Sequence, residues 1–296
     1  MLYGFWGAAY ILDKSSKKFI CPKCQKRTFV KYIETETNNY VNEISGRCDR
    51  ETNCSYHNKP KGESKNTYEI VFVPKPKPSF HNYDFVNQSK SNYEQNNFVK
   101  FLQTIFSDSE VKYVIQKYSI GTSKYWNGAT VFWQIDNLQR VRHGKILQYV
   151  CYTGKRYKDR NGKPLIQSVR AVMQLKNFNL CQCLFGLHLI DNSFCKTIAI
   201  VESEKTAIIM SLFKPEYVWL ATGGKGFLKN EMLQQIKEYN IVAFPDKGEY
   251  KDWFIKSTEL NSIGYKIEVN NWLENSDYEI GTDLADVYIS LINTKI

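Results

Sequence analysis

The chain has 296 residues, 43% of them hydrophobic, and a formal net charge of +10. That length suggests two or three domains and that composition allows a real core. No run approaches the ~18 apolar residues of a membrane span, and the apolar start, Met1–Leu12, has its lysines after it, the reverse of a secretory signal. Cys151, Cys181, Cys183 and Cys195 lack the spacing of a disulfide framework, which points to free thiols in a reducing cytoplasm. The excess of cations lies in the first two thirds, whereas residues 196–296 carry more acids than cations. A metal site beside a polyanion track has this distribution.

Residues 1–60 read as a small module of strands and turns around Cys21-Pro-Lys-Cys24 and Cys48-Asp-Arg-Glu-Thr-Asn-Cys54. Two such pairs can bring four thiolates to a tetrahedral Zn²⁺, a closed and therefore structural site. The second pair is wide, and His57, three residues beyond Cys54, is an alternative fourth ligand. Residues 61–92, with Pro-Lys-Pro-Lys-Pro at 74–78, read as a semi-rigid linker interrupted by a short strand at Tyr68–Val73.

Residues 93–195 read as a basic α+β middle domain. Phe98, Phe101, Leu102, Ile105, Val111, Val114 and Ile115 recur at helical spacing over 94–118. Strands are expected at Thr130–Ile135, Leu147–Cys151 and Arg170–Leu175, with a hairpin loop at Lys155–Lys163 around Asn161-Gly162. Arg140, Arg142, Lys145, Lys155, Arg156, Lys158, Arg160 and Lys163 fall among Tyr149, Tyr152 and Tyr157, with Asp159 the sole acid between residues 140 and 163. Cations track phosphates and rings stack bases, so this segment is a candidate nucleic-acid surface. The plainer alternative is a solvated hairpin.

From residue 196 the pattern alternates. Strands at Thr197–Val201, Tyr217–Ala221, Ile241–Phe244 and Lys266–Val269 are separated by helices over 204–213, 228–239 and 252–262, and a last helix begins near Thr282. Such alternation means a parallel sheet flanked by helices. Glu202 and Asp246 sit at strand ends, where ligands of open α/β sheets gather. Asp283 and Asp286 share one helix face. These carboxylates suit Mg²⁺ or Mn²⁺, with Glu249 and Asp252 further candidates in the Asp246 loop. Gly223, Gly224 and Lys225, after the second strand, form a candidate phosphate loop. No Gly-x₄-Gly-Lys-Ser/Thr motif occurs, which argues against a motor ATPase.

These features together resemble the Toprim domain of bacterial-type primases, topoisomerases and some nucleases. Val201-Glu202, Gly223-Gly224 and Asp246-Lys-Gly248 correspond to its glutamate, its Gly-Gly turn and its Asp-x-Asp; Gly281-Thr-Asp-Leu-Ala-Asp286 is similar to the late acidic motif of primases. Tyr118-Ser-Ile-Gly121 and Leu184-Phe-Gly186 look like primase landmarks, and the order of zinc module, basic segment and acidic sheet is the primase order. Cys48–Pro60 is similar to zinc-ribbon proteins of bacterial mobile elements. The resemblance implies a nucleotidyltransferase joining nucleotides on a single-stranded DNA template in mobile-element or phage replication. Glu202, Asp246 and Asp286 would bind Mg²⁺ or Mn²⁺, and a replicative helicase would act in trans. It departs at Gly248, where the second Asp is missing. That departure keeps two alternatives open, a catalytically silent DNA-binding protein for replication or mobilisation and a Toprim nuclease.

Overall fold

The structure is a computed structural model and describes residues 10–50, 52–60, 77–190 and 197–293. The chain divides into two compact units, Met1–Pro74 and Lys75–Ile296.

The first unit is a sheet of short antiparallel strands, β1 (Tyr10–Leu12), β2 (Phe19–Ile20), β3 (Arg27–Glu34), β4 (Gly46–Cys48) and β5 (His57–Asn58), in the order β1-β3-β4-β5 with β2 also on β3. Its interior is small: Phe29 packs with Cys21, Cys48 and Cys54. Gly46 lies so close to the Phe29 ring and the Val30 carbonyl that a Cβ there would stand 2.4 and 2.3 Å from them. A module of this size needs a staple beyond its apolar contacts.

The second unit opens with α1 (Asp84–Ser89), α2 (Asn97–Gln103) and α3 (Asp108–Lys117). The periodic segment expected over 94–118 is thus broken once, because Ser107 starts α3 with a capping box on Glu110. Strands β6 (Gly121–Ser123), β7 (Ala129–Ile135), β8 (Val141–Leu147) and β9 (Ile166–Ser168) form an antiparallel sheet in sequence order, followed by the short α4 (Val169–Val172). Then β10 (Ile198–Val201), α5 (Glu204–Phe213), β11 (Val218–Ala221), α6 (Asn230–Leu233), β12 (Asn240–Ala243), α7 (Tyr250–Ser262), β13 (Lys266–Val269) and α8 (Leu284–Asn293) alternate. The four strands are parallel in the order β11-β10-β12-β13. This is the expected helix-flanked parallel sheet; its inner strand β10 and neighbour β11 are buried apolar runs because both faces are covered, while β13 at the edge exposes Lys266 and Glu268.

Three expected elements differ. The strand placed at Leu147–Cys151 is β8, which ends at Leu147; its alternating Arg142, His143 and Lys145 read as surface charge, but Arg142 and His143 are buried. The strand placed at Arg170–Leu175 is instead β9 and a helical turn capped by Ser168, whose hydroxyl accepts from the Ala171 N–H. The helix placed over 228–239 is the single turn α6 between 3₁₀ turns. Tyr68–Val73 lies outside the described residues. The end of the expected linker is part of the fold: the His81 N–H donates to the Val141 carbonyl at 2.9 Å and Val86 is fully buried.

One hydrophobic cluster unites Phe98, Leu102 and Val114 of α2 and α3 with Phe132 and Leu147 of the antiparallel sheet, Val201 of the parallel one and Ala207 and Ile208 of α5. Tyr118, fully buried, donates its hydroxyl to the Trp219 carbonyl at 3.0 Å. The segments 93–190 and 197–293 therefore share a core. A second cluster with Ile198, Ile200, Ile241, Trp253 and Leu260 covers the other face of the parallel sheet.

Candidate metal centres and nucleic-acid interface

In the first unit, the turn after β2 carries Cys21 and Cys24, with the Gln25 N–H on the Cys21 carbonyl at 3.0 Å. Cys48 ends β4, and the wide second spacing folds into a turn in which the Cys54 N–H donates to the Arg50 carbonyl at 2.8 Å. The four sulfurs lie within 4.8 Å of one another, Cys21 and Cys54 at 3.6 Å and Cys24 and Cys48 at 3.9 Å. Zn–S bonds of about 2.3 Å in a tetrahedron put sulfurs roughly 3.8 Å apart, so the quartet fits Zn²⁺. The Lys26 N–H beside Cys24 pulls its thiol down to about 6, towards the thiolate a metal requires. His57 is not a ligand: its Nε2 meets the Tyr32 hydroxyl at 2.8 Å and its ring stacks on that tyrosine.

In the second unit, the carboxyl edge of the parallel sheet gathers acids. Glu202 follows β10 directly, and Asp246 follows β12 after Phe244-Pro245. Asp283, buried, accepts from the Asp286 N–H at 2.9 Å and the Thr206 hydroxyl at 2.9 Å, so it starts α8 as a cap. Lys205 of α5 reaches Asp286 at 2.9 Å and Asp283 at 3.4 Å. Burial pushes the Asp246 carboxyl up to about 8, reinforced by Asp283, Glu202 and Asp286. Burial also raises Glu202; Glu249 adds to the rise, and Arg156, Lys225 and Lys145 oppose it. The acids thus lie within electrostatic reach of one another.

Among the described residues only the cysteine quartet forms a compact metal-capable group. The carboxylates are more open, as in sites where Mg²⁺ keeps waters and takes substrate phosphates. Their chemistry fits such an ion: like charges at a half-buried edge raise each other's pKa, and Oε2 of Glu249 is buried without a partner. Glu249 pairs through its other oxygen with Lys225, while Asp252 stands exposed in the first turn of α7. Gly248 has φ +92°, and a Cβ there would stand 3.1 Å from Ile280, so an aspartate at this position would be strained.

The glycine loop follows β11. The Gly223 N–H donates to the Glu202 carbonyl at 2.9 Å, and the Gly223 carbonyl accepts from Lys145 at 2.9 Å. Lys145 also meets both oxygens of Glu204. Sequence reasoning passed over Glu204 and Lys205 because a charged pair after a strand is an ordinary helix start.

The eight cations of the basic stretch divide. Lys155, Arg156, Lys158, Arg160 and Lys163 are exposed together with Tyr152 and Tyr157, on a segment whose turn is held by Asp159 accepting from the Asn161 and Lys163 N–H groups. Arg142 is buried on Asp136 at 2.7 Å, Arg140 reaches the same carboxylate at 2.9 Å, and both guanidinium groups lie over the Phe80 ring. Lys145 is turned inward. Tyr149 is buried against Phe98 and Phe132 and offers no exposed ring.

A zinc ribbon joined to a mixed α/β unit with an acidic sheet edge is the class these features define. The chain belongs to the family described as "Domain of unknown function (DUF6371)", whose model matches residues 96–247. Residues 8–69 match the model of a zinc beta-ribbon finger. No curated protein matches the chain. Among solved structures, the primase fragment of the bacteriophage T7 primase-helicase protein is 14% identical with a TM-score of 0.45, over 94% of this chain and 96% of that one. The RNA polymerase domain of the Mycobacterium tuberculosis primase is 9% identical with a TM-score of 0.47, over 72% and 78%. The zinc-binding and RNA polymerase domains of the Aquifex aeolicus primase are 12% identical with a TM-score of 0.40, over 96% and 78%. Among the described residues no helix is long and apolar enough to cross a membrane.

Proposed function

We propose that the protein is a primase-like nucleotidyltransferase of the Toprim type, acting on single-stranded DNA in the replication of a mobile element or phage. The observation that carries this reading is the gathering of acids at the carboxyl edge of the parallel sheet, Glu202 after β10, Asp246 after β12 and Asp283 and Asp286 at the start of α8, close enough that, beside burial, the other acids help to raise the Asp246 carboxyl. Lys205 offsets only part of the repulsion among these acids. Glu202, Asp246 and Asp286 would hold Mg²⁺ or Mn²⁺, with Glu249 in place of the acid absent at Gly248. The ion supplies charge stabilisation to the transferring phosphoryl group. In the alternative role, with Asp246 and Asp286 holding the ion, Glu202, kept less acidic by burial, would accept the proton of the attacking 3′-hydroxyl. Lys225 and the glycine loop face the nucleotide's phosphates, and the exposed cations from Lys155 to Lys163, together with the zinc ribbon, hold the template. A replicative helicase in trans belongs to the same proposal.

Primer synthesis on single-stranded DNA with Mg²⁺ or Mn²⁺, run beside a nuclease assay, tests it. Products that require metal and vanish with Glu202→Gln support it; nicking without synthesis selects the nuclease reading. Gly248 favours a second reading, a DNA-binding protein without catalysis, and binding with no reaction under either metal selects that.

A further inference from the structure

Lys145 lies inside the second unit, its side chain 15% exposed, and it joins three distant parts of the chain. From β8 its ammonium donates to both oxygens of Glu204, at 3.0 and 3.1 Å, and to the Gly223 carbonyl at 2.9 Å. An ammonium has three donors, so none is left for a DNA phosphate. Glu204, the first residue of α5, is 1% exposed. With its N–H on the Glu202 carbonyl, Gly223 is held at both of its polar groups.

Gly223 has φ +80° and is followed by a second glycine, so the peptide between them can rotate at little cost unless something grips it. A trans peptide is planar with its N–H opposite its C=O. Fixing the Gly223 carbonyl on the ammonium therefore fixes the Gly224 N–H in the opposite direction, where its protein contact is a long one, 3.5 Å to the Thr222 hydroxyl oxygen. The room here is also set by the pair: a Cβ on Gly223 would stand 3.2 Å from the Glu204 carboxylate. Apolar residues of similar volume often hold a core as well as a buried ion pair does. They cannot donate to a carbonyl.

We propose that Lys145 and Glu204 are positioning residues that lock the Gly223–Gly224 peptide in one orientation and so preset the loop for the phosphates of a nucleotide. This rests on the nucleotidyltransferase reading only for the identity of the ligand; the locking stands apart from it.

The test compares Lys145→Met with the double variant Lys145→Met/Glu204→Leu in the full chain. Three quantities are read: melting temperature, hydrogen exchange of the Gly224 amide, which is the N–H of the locked peptide, and the Kd of a fluorescent, non-hydrolysable nucleoside triphosphate. The single variant leaves a carboxylate buried alone and melts lower. The double variant recovers the wild-type melting temperature, yet its Gly224 amide still exchanges about tenfold faster and its Kd is weaker by about tenfold, the worth of one charge-assisted hydrogen bond. Amides of β10 exchange as in the wild type. A double variant that recovers both the melting temperature and the Gly224 protection overturns the proposal, since the pair is then only structural. If the double variant does not fold, Glu204→Gln decides: it weakens the grip on the ammonium, and Gly224 exchange equal to wild type overturns the locking. Failure of the wild type to bind triphosphate sinks the nucleotide reading, while the exchange rates still decide whether the peptide is locked.

Discussion

Replacing Asp246 by asparagine should make the metal-free protein more stable while abolishing its response to metal. The carboxyl is raised from an ordinary 3.8 to about 8 in the folded chain. The folded state therefore keeps a proton that the unfolded state has lost, and stability falls as pH rises between those values, by up to about 1.4 kcal/mol per pH unit. At pH 7 the accumulated cost is at most roughly 4 kcal/mol, and rearrangement and water entry reduce it to about 1–3. Asp246→Asn removes that cost. For a unit of this size it should melt about 3–10 °C higher near pH 7.5. The difference should shrink towards pH 4, where the folded carboxyl is protonated and the unfolded one nearly half so. Scanning calorimetry across this pH range checks it, in buffer stripped of Mg²⁺ by resin without a chelator, so that the zinc ribbon keeps its metal. Millimolar Mg²⁺ should then raise the melting temperature of the wild type and leave the variant unmoved. An unchanged or lower melting point for the variant at pH 7.5, with the same pH slope as the wild type, would refute the claim that burial and the neighbouring acids strain the ionised Asp246.

Purified protein should contain close to one zinc per chain, lost in Cys21→Ser and in Cys54→Ser but kept in His57→Ala; metal analysis decides, and loss in His57→Ala would return His57 to the ligand set. Reversing Arg156 and Lys158 to glutamate should weaken single-stranded DNA binding for all sequences alike and flatten the dependence of log K on log salt by roughly 0.7 per lost phosphate contact. An unaltered slope in a binding titration removes this loop from the interface. In an active enzyme, Glu249→Gln should be as damaging as Asp246→Asn, whereas the exposed Asp252→Asn should be nearly silent; steady-state rates with both variants silent would rule out a substitute for the missing acid at Gly248.

The alternation of strands and helices after residue 197 was legible because Thr197–Val201 and Ile241–Phe244 are short apolar runs of the kind a covered sheet requires, and acids placed at their ends follow from that topology. The zinc quartet was legible from spacing alone. The antiparallel sheet was harder to see. β8 carries an arginine, a histidine and a lysine, and only burial, which no spacing reveals, tells such a strand from a solvated basic loop. The same blindness covered Lys145 and Glu204, far apart in sequence and each unremarkable until packed together. Phe80 and His81 were assigned to a linker because the prolines and lysines before them dominate the local composition, although both rings pack onto the sheet through Arg140, Arg142 and Trp133.

The common core of the antiparallel and parallel sheets means that the basic loop at Lys155–Lys163 and the acidic edge cannot drift as two bodies on a tether. Tyr118, Phe185 and Trp219 stack and bond across that boundary, and cutting the chain there would leave each fragment with a raw aromatic wound in place of an interior. The distance from the exposed cations of Lys155–Lys163 to the acids is thus built in at folding rather than found at each encounter. In the proposed reading, a strand laid on Lys155–Lys163 would meet the carboxylates at a span set in advance, a fixed ruler between holding and reacting.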